Sequence, residues 1–253
     1  MNKQAVLTAA IAAKHCSKQP FNLDFSTYTD ITEEAAVVLG DIAEWQLDPR
    51  DKPGLLLHGL KSLADSAAHH LGGCPYQIVL NGLDDLSDAA ACSLSNSANS
   101  GEDGGPQLDG LTELSDGAAK YLIRCQLPPS LNGLVSLSET AALTFSQCNW
   151  YALEFNGLTI LPDSVAQHLQ KFRGDEIRLN GIKQLSDCAA QCLGRFKGRY
   201  LSLDGLTALS STAAENLTNF RGTWISLQGL THPSPDVLKI LKAARGTYNC
   251  PAM

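Results

Sequence analysis

Very few residues in this 253-residue sequence are spaced for covalent chemistry. His69 and His70 shortly precede Cys74, and a histidine close to a thiol can remove its proton and make a nucleophile. Cys188 and Cys192 stand four residues apart, one turn of a helix, and could face a single ligand. Both readings fail on context. Cys74, Cys125 and Cys148 share one position of a recurring pattern with Phe172, Phe196 and Phe220, so these thiols act as small apolar fillers, and a buried apolar thiol is inert. No further Cys or His accompanies Cys188 and Cys192. There is no Gly-rich phosphate loop, no HExxH and no Gly-x-Ser-x-Gly elbow. The chain is therefore expected to be non-enzymatic, with no cofactor and no metal.

The chemistry that remains is recognition. Tyr151, Glu154, Glu176, Arg178, Tyr200 and Trp224 occupy related positions in successive segments, and aromatic and Arg side chains carry a large share of interface energy. These six form the expected contact patch for a protein partner. The net charge of −7 opposes attraction to nucleic acid or an anionic membrane. The longest strongly apolar stretch, residues 5–13, falls short of the roughly 20 residues needed to cross a bilayer. A hydrophobic content of 44% excludes a disordered chain. The expectation is a monomer that binds a protein, with no nucleic acid and no membrane insertion. Charge is uneven, net −9 over residues 1–126 and net +2 over residues 127–253, which predicts salt-sensitive association. Arg173, Lys197, Arg221 and Arg245 recur just before a Gly, where the dipole of a helix C-terminus favours cations.

The elements that position the patch come from an internal repeat. Gly59, Gly82, Gly110, Gly133, Gly157, Gly181, Gly205 and Gly229 recur at intervals of about 24 residues. Two residues before each stands Leu57, Leu80, Leu108, Leu131, Phe155, Leu179, Leu203 or Leu227. Four before are Leu55, Ile78, Leu153, Ile177, Leu201 and Ile225, with Pro106 and Pro129 as exceptions. Alternation at period two predicts a strand with one buried face. Ser87-Asp88, Ser115-Asp116 and Ser186-Asp187 then supply helix N-caps. Ala189, Leu193 and Phe196 follow at one-face helical spacing. Gly174, Gly198, Gly222 and Gly246 are expected to close the helices through positive φ. A degenerate first copy carries Phe25, Thr27, Tyr28 and Ile31 in the same register, making nine copies.

Each unit reads as strand, corner, helix and return. Strands about 4.8 Å apart and helices about 8–10 Å apart cannot stack straight, so strands belong on the inside of a curve and helices outside. The pattern Leu-x-Leu-x-Gly-Leu-x-x-Leu-Ser-Asp-x-Ala-Ala-x-x-Leu resembles leucine-rich repeat proteins, in a bacterial variant with helical convex segments. The resemblance covers residues 25–246 and implies an α/β fold: a curved right-handed solenoid, or horseshoe, with a parallel concave sheet and short convex helices. It departs from the usual pattern where an Asn ladder is expected in the corner, because Leu60, Leu83 and Leu111 fill that slot. The corner must satisfy its backbone otherwise.

In the resulting layout residues 1–24 form an N-terminal capping helix, residues 25–246 nine repeats in one domain, and residues 247–253 a tail. Residues 45–54 and 95–105 are read as surface insertions rich in turn formers. One residue before each anchor Gly runs a polar column, His58, Asn81, Asp109, Asn132, Asn156, Asn180, Asp204 and Gln228. It suits either turn chemistry or ligand binding. Eight cysteines in a chain of this length fit a reducing cytoplasm better than a secreted disulfide scaffold. The alternative is a bacterial effector, secreted by a leaderless route, that binds and modulates a host protein.

Overall fold

A computed structural model describes residues 5–18, 23–41, 54–74, 76–96, 104–244 and 247–252. The fold is α/β with parallel sheets, and the chain divides into two compact units, residues 1–131 and 132–253. In the first unit, β1 (Val6–Leu7) leads to α1 (Ala9–Lys18), and β2 (Asp30–Ile31) to α2 (Glu33–Gly40). Then come β3 (Leu55–Leu56), α3 (Asp65–Leu71), β4 (Ile78–Val79), α4 (Asp88–Ser95) and α5 (Asp116–Leu122). The second unit begins with α6 (Glu139–Phe145), β5 (Ala152–Glu154), α7 (Asp163–Leu169), β6 (Glu176–Arg178) and α8 (Asp187–Leu193). It ends with β7 (Tyr200–Ser202), α9 (Ser211–Leu217), β8 (Trp224–Ser226), α10 (Pro235–Ala243) and β9 (Thr247–Asn249).

All strand pairs are parallel; in the first unit β1 pairs β2 in a sheet of its own, and Leu56 of β3 bridges back to Asp24. In the second unit β5 to β9 form one five-stranded sheet in sequence order. In the first, β3 pairs β4, and the ladder continues as single bridges from Val79 to Gln107 and from Gln107 to Ser130. Pro106 and Pro129 explain that reduction, because each removes an N–H from the rung beside it. Successive helices pack side by side, α1 to α5 in one unit and α6 to α10 in the other. Both Leu columns of the strand, and the Leu or Ile after the anchor Gly, are buried. So are the paired alanines that face them from the helices, including Ala189 and Ala190.

Local chemistry starts each helix as expected. Ser87, Ser115, Ser138, Ser186, Ser210 and Ser234 each accept the N–H of the residue three on. Several N-cap hydroxyls also donate to the Asp that follows the preceding N-cap slot, as Ser115 does to Asp88 and Ser210 to Asp187, each at 2.5 Å. One such hydroxyl thereby caps its own helix and ties it to its neighbour.

Several expectations are corrected. The helices end earlier than the i+7 spacing implies: α8 stops at Leu193 and Phe196 lies in the return, its N–H donating to the Leu193 carbonyl. Arg173, Lys197 and Arg221 therefore lie beyond the last helical turn, out of reach of the dipole effect proposed for them. Gly174, Gly198 and Gly222 do not adopt positive φ, which among the described residues only Gly104 does. They are needed for close approach: a Cβ on Gly198 would fall 2.1 Å from the Phe196 ring and 2.7 Å from the Asp175 carbonyl. The Phe rings they admit stack, with centroids 6.2 Å apart for Phe172 and Phe196 and 6.1 Å for Phe196 and Phe220.

Both ends carry more than was expected. The N-terminal segment contains a strand as well as its helix, since β1 pairs β2 and α1 packs on α2 one period earlier. Residues 247–249 are no tail but the strand β9, with Tyr248 and Cys250 buried in the apolar strand slots. Gly246, Arg245 and most of the two insertions lie outside the described residues.

Candidate functional site

The corner decides which polar residues are free. In the corners at Leu57, Leu80, Leu108, Phe155, Leu179, Leu203 and Leu227, the residue before the anchor Gly by two accepts the N–H of the residue after it, as Leu203 does from Leu206 at 3.1 Å. That closes a tight turn. The anchor Gly has no room for a side chain, because a Cβ on Gly205 would meet the carbonyls of Asn180 and Ile182 at 2.0 and 2.7 Å. Thr27, in that slot of the first copy, leaves its side chain exposed.

The polar column beside these glycines forms a ladder, two residues before the slot that Leu60, Leu83 and Leu111 fill. The Asn156 N–H donates to Asn132 Oδ1, Asn180 to Asn156, Asp204 to Asn180 and Gln228 to Asp204, at 2.9–3.3 Å. In the first unit the Asp109 N–H donates to Asn81 Oδ1 at 3.0 Å. Each acceptor oxygen thus holds the backbone amide of the next copy. Serines two residues upstream join it: Ser202 donates to Asn180 Oδ1 at 2.7 Å, Ser226 to Asp204 Oδ1 at 2.5 Å and Ser130 to Asp109 Oδ1 at 2.6 Å. Of the two uses considered for this column, the described bonds serve structure.

The six expected contact residues lie together on one face of the second-unit sheet. Strand register sets Ala152, Glu176, Tyr200 and Trp224 side by side, and two residues on sets Glu154, Arg178, Ser202 and Ser226 in a second row. Tyr151 stands just ahead of β5, its carbonyl accepting the Glu176 N–H at 3.2 Å. Tyr151 is 57% exposed and Trp224 42%, large areas for aromatic side chains.

The guanidinium groups on this face are already engaged. Arg178 donates through Nε and Nη2 to the two oxygens of Glu176, at 2.7 and 3.1 Å, and lies 3.0 Å through Nη1 from Glu154. The hydrogen bonds that Arg178 donates to Glu176 raise the Arg178 pKa and fix the guanidinium in a bidentate fork. Arg199 lies over the Tyr200 ring, 5.1 Å from its centroid, and donates to the Tyr200 hydroxyl at 2.9 Å. Between these groups lies a cavity of about 400 Å³ lined by Tyr151, Glu176, Tyr200, Leu201, Ser202, Trp224 and Ser226. Four expected residues line it. Glu154 and Arg178 sit on the same face but outside the lining. Ser202 and Ser226, three before their anchor glycines in the same alternating row as Glu154 and Arg178, join the lining beyond the six expected residues.

Cys74 is fully buried, and desolvation pushes its thiol up to about 11. Burial likewise moves Cys125 to about 12 and Cys148 to about 11. His70 faces Glu33 at 3.8 Å. Cys188 is exposed while Cys192 is buried, and among the described residues no three His, Cys, Asp or Glu side chains cluster as a metal site. No helix among the described residues is long and apolar enough to cross a membrane. No protein-family model matches the chain, and no curated protein matches it either.

Proposed function

We propose that this chain is a leucine-rich-type solenoid, curved with its parallel sheet inside and helices outside, that acts as a non-enzymatic protein-binding module. The partner docks on the sheet face around Tyr151, Glu154, Glu176, Arg178, Tyr200 and Trp224. One observation carries the reading: side chains from four successive copies converge on an exposed face where the remaining strand positions are committed to core or ladder. Sheet faces framed by rigid neighbours present side chains without an ordering cost, which favours binding.

Affinity capture from cell extract with the wild type and with a Tyr151→Ala/Trp224→Ala variant tests the module. A protein retained by the wild type and lost by the variant, with unchanged circular dichroism, is expected. Equal retention refutes the patch, and no retained protein refutes the module. Solenoid stacking is tested by deleting one period, residues 158–181. Stability that is a sum of neighbour contacts leaves a folded, cooperative protein with a smaller denaturant slope, whereas loss of folding counts against layering.

A further inference from the structure

We infer that the cavity between Tyr151, Tyr200 and Trp224 takes a protonated side chain, a lysine ammonium or arginine guanidinium, from an extended segment of the protein partner; this rests on the protein-binding reading above. The direction of the hydroxyl protons argues for it. Ser202 donates to Asn180 Oδ1 and Asp204 Oδ2, and Ser226 donates to Asp204 Oδ1. Those oxygens belong to a carboxylate and an amide carbonyl, which accept only. The serine protons are therefore committed to the ladder, and what Ser202 and Ser226 turn to the cavity is lone pairs. The Tyr200 hydroxyl accepts from Arg199, and Glu176 adds a carboxylate to the lining. A ligand that donates hydrogen bonds fits Ser202, Ser226 and Glu176, whereas the side-chain donors in the lining belong to the aromatic residues, the Tyr151 and Tyr200 hydroxyls and the Trp224 indole N–H.

Charge and the walls agree. Glu154, Glu176 and Asp204, with Asp175 beside Arg199, set four carboxylates against the guanidinium groups of Arg178 and Arg199, an excess of two negative charges. Arg178 spends Nε, Nη1 and Nη2 on two carboxylates, so it offers little to an anion. Three aromatic rings line the opening, and ring faces attract cations. Tyr200 already holds one, the chain's own Arg199, which stands outside the cavity lining.

The test is selection of a phage-displayed library of random dodecapeptides on the immobilised protein, followed by affinity measurement with synthetic peptides. The enriched peptides are expected to share a Lys or Arg at one position, and which of the two recurs identifies the head group. Replacing that residue by norleucine or citrulline should weaken binding about tenfold in the wild type. In Trp224→Ala the same replacement should change it less than about twofold, because the contact is already gone. Trp224→Ala is checked by its thermal unfolding, and Tyr151→Ala serves if it fails to fold. Peptides that depend on Tyr151 and Trp224 but carry no shared cation would overturn the cation site and leave the protein-binding face standing. Peptides indifferent to both variants, or no enrichment at all, would overturn the two together.

Discussion

Asn180→Ala separates a structural role from a binding role for the polar column. Asn180 Oδ1 accepts the Asp204 N–H at 3.0 Å and the Ser202 hydroxyl at 2.7 Å. The Asn180 N–H, held by Asn156 Oδ1 at 3.2 Å, survives the change. Two neutral hydrogen bonds contribute about 1–3 kcal/mol net. Ser202 can keep its bond to Asp204 Oδ2 at 3.1 Å, so the loss should settle near about 1–2 kcal/mol. At a urea slope of about 2 kcal/mol/M the unfolding midpoint falls by roughly 0.5–1 M. Asn180→Asp keeps both acceptors, as Asp204 does one copy later. Its only cost is repulsion from Asp204, which should be under about 1 kcal/mol and fade in 1 M salt, whereas the alanine loss should not. An alanine variant within about 0.3 kcal/mol of wild type, or an aspartate variant equally damaged at high salt, would show that the ladder holds nothing together.

Three further outcomes can be measured on the same purified protein. Leu179, fully buried in the strand, should cost about 2–5 kcal/mol on truncation to alanine by urea unfolding; a change under about 0.5 kcal/mol would remove it from the core. Gly205→Ala should cost about 1–3 kcal/mol or more, because its Cβ would stand 2.0 Å from the Asn180 carbonyl; an unaltered midpoint would mean that adjacent corners are not in contact. The buried thiols predict an alkaline limit. Cys74, Cys125 and Cys148 have pKa values raised from 9.0 to about 11, 12 and 11 by desolvation. The fold prefers their protonated form, so this stability is complete below pH 9 and falls between about pH 9 and 12. A Cys74→Ala/Cys125→Ala/Cys148→Ala variant should lose stability less steeply across that window, and an identical alkaline slope would contradict the assignment.

Much of this was legible because hydrophobic period changes within each unit. The alternation of Ile177 and Leu179 marks a strand, and Ser186 before Asp187 marks a helix start, each from local chemistry. Helix ends were not legible. Phe196 is spaced as a third helical contact, yet a short turn after Leu193 delivers it to the same interior, and periodicity cannot separate the two. The positions of Gly174, Gly198 and Gly222 are legible but their reason is not, because steric closeness between copies leaves no trace in one copy's own residues. The end copies hid for a related cause: β9 shows strand slots without a following helix, and β1 with α1 precedes the first recognisable strand. Of the site, the aromatic and charged members were visible, while the bonding direction of Ser202 and Ser226 needed coordinates.

The ladder also limits how many residues the proposed binding face can offer. Residues at Leu and Ile slots are buried, and the Asn, Asp and Gln before each glycine bridge to their neighbours. Each strand therefore leaves two outward positions to vary, three and five before the anchor. Where the first of these is Ser, as at Ser130, Ser202 and Ser226, the ladder takes its proton too. Those copies thereby lose the serine as a donor and keep the Tyr200 hydroxyl and the Trp224 indole N–H, so the serine row itself offers acceptors unless a cation stands in it, as Arg178 does. Arg178 arrives with Glu176 and Glu154 around it, so even that exception restores acceptor character at the surface. On the binding reading proposed above, the serine row is biased toward donor ligands by the same bonds that hold successive copies in register.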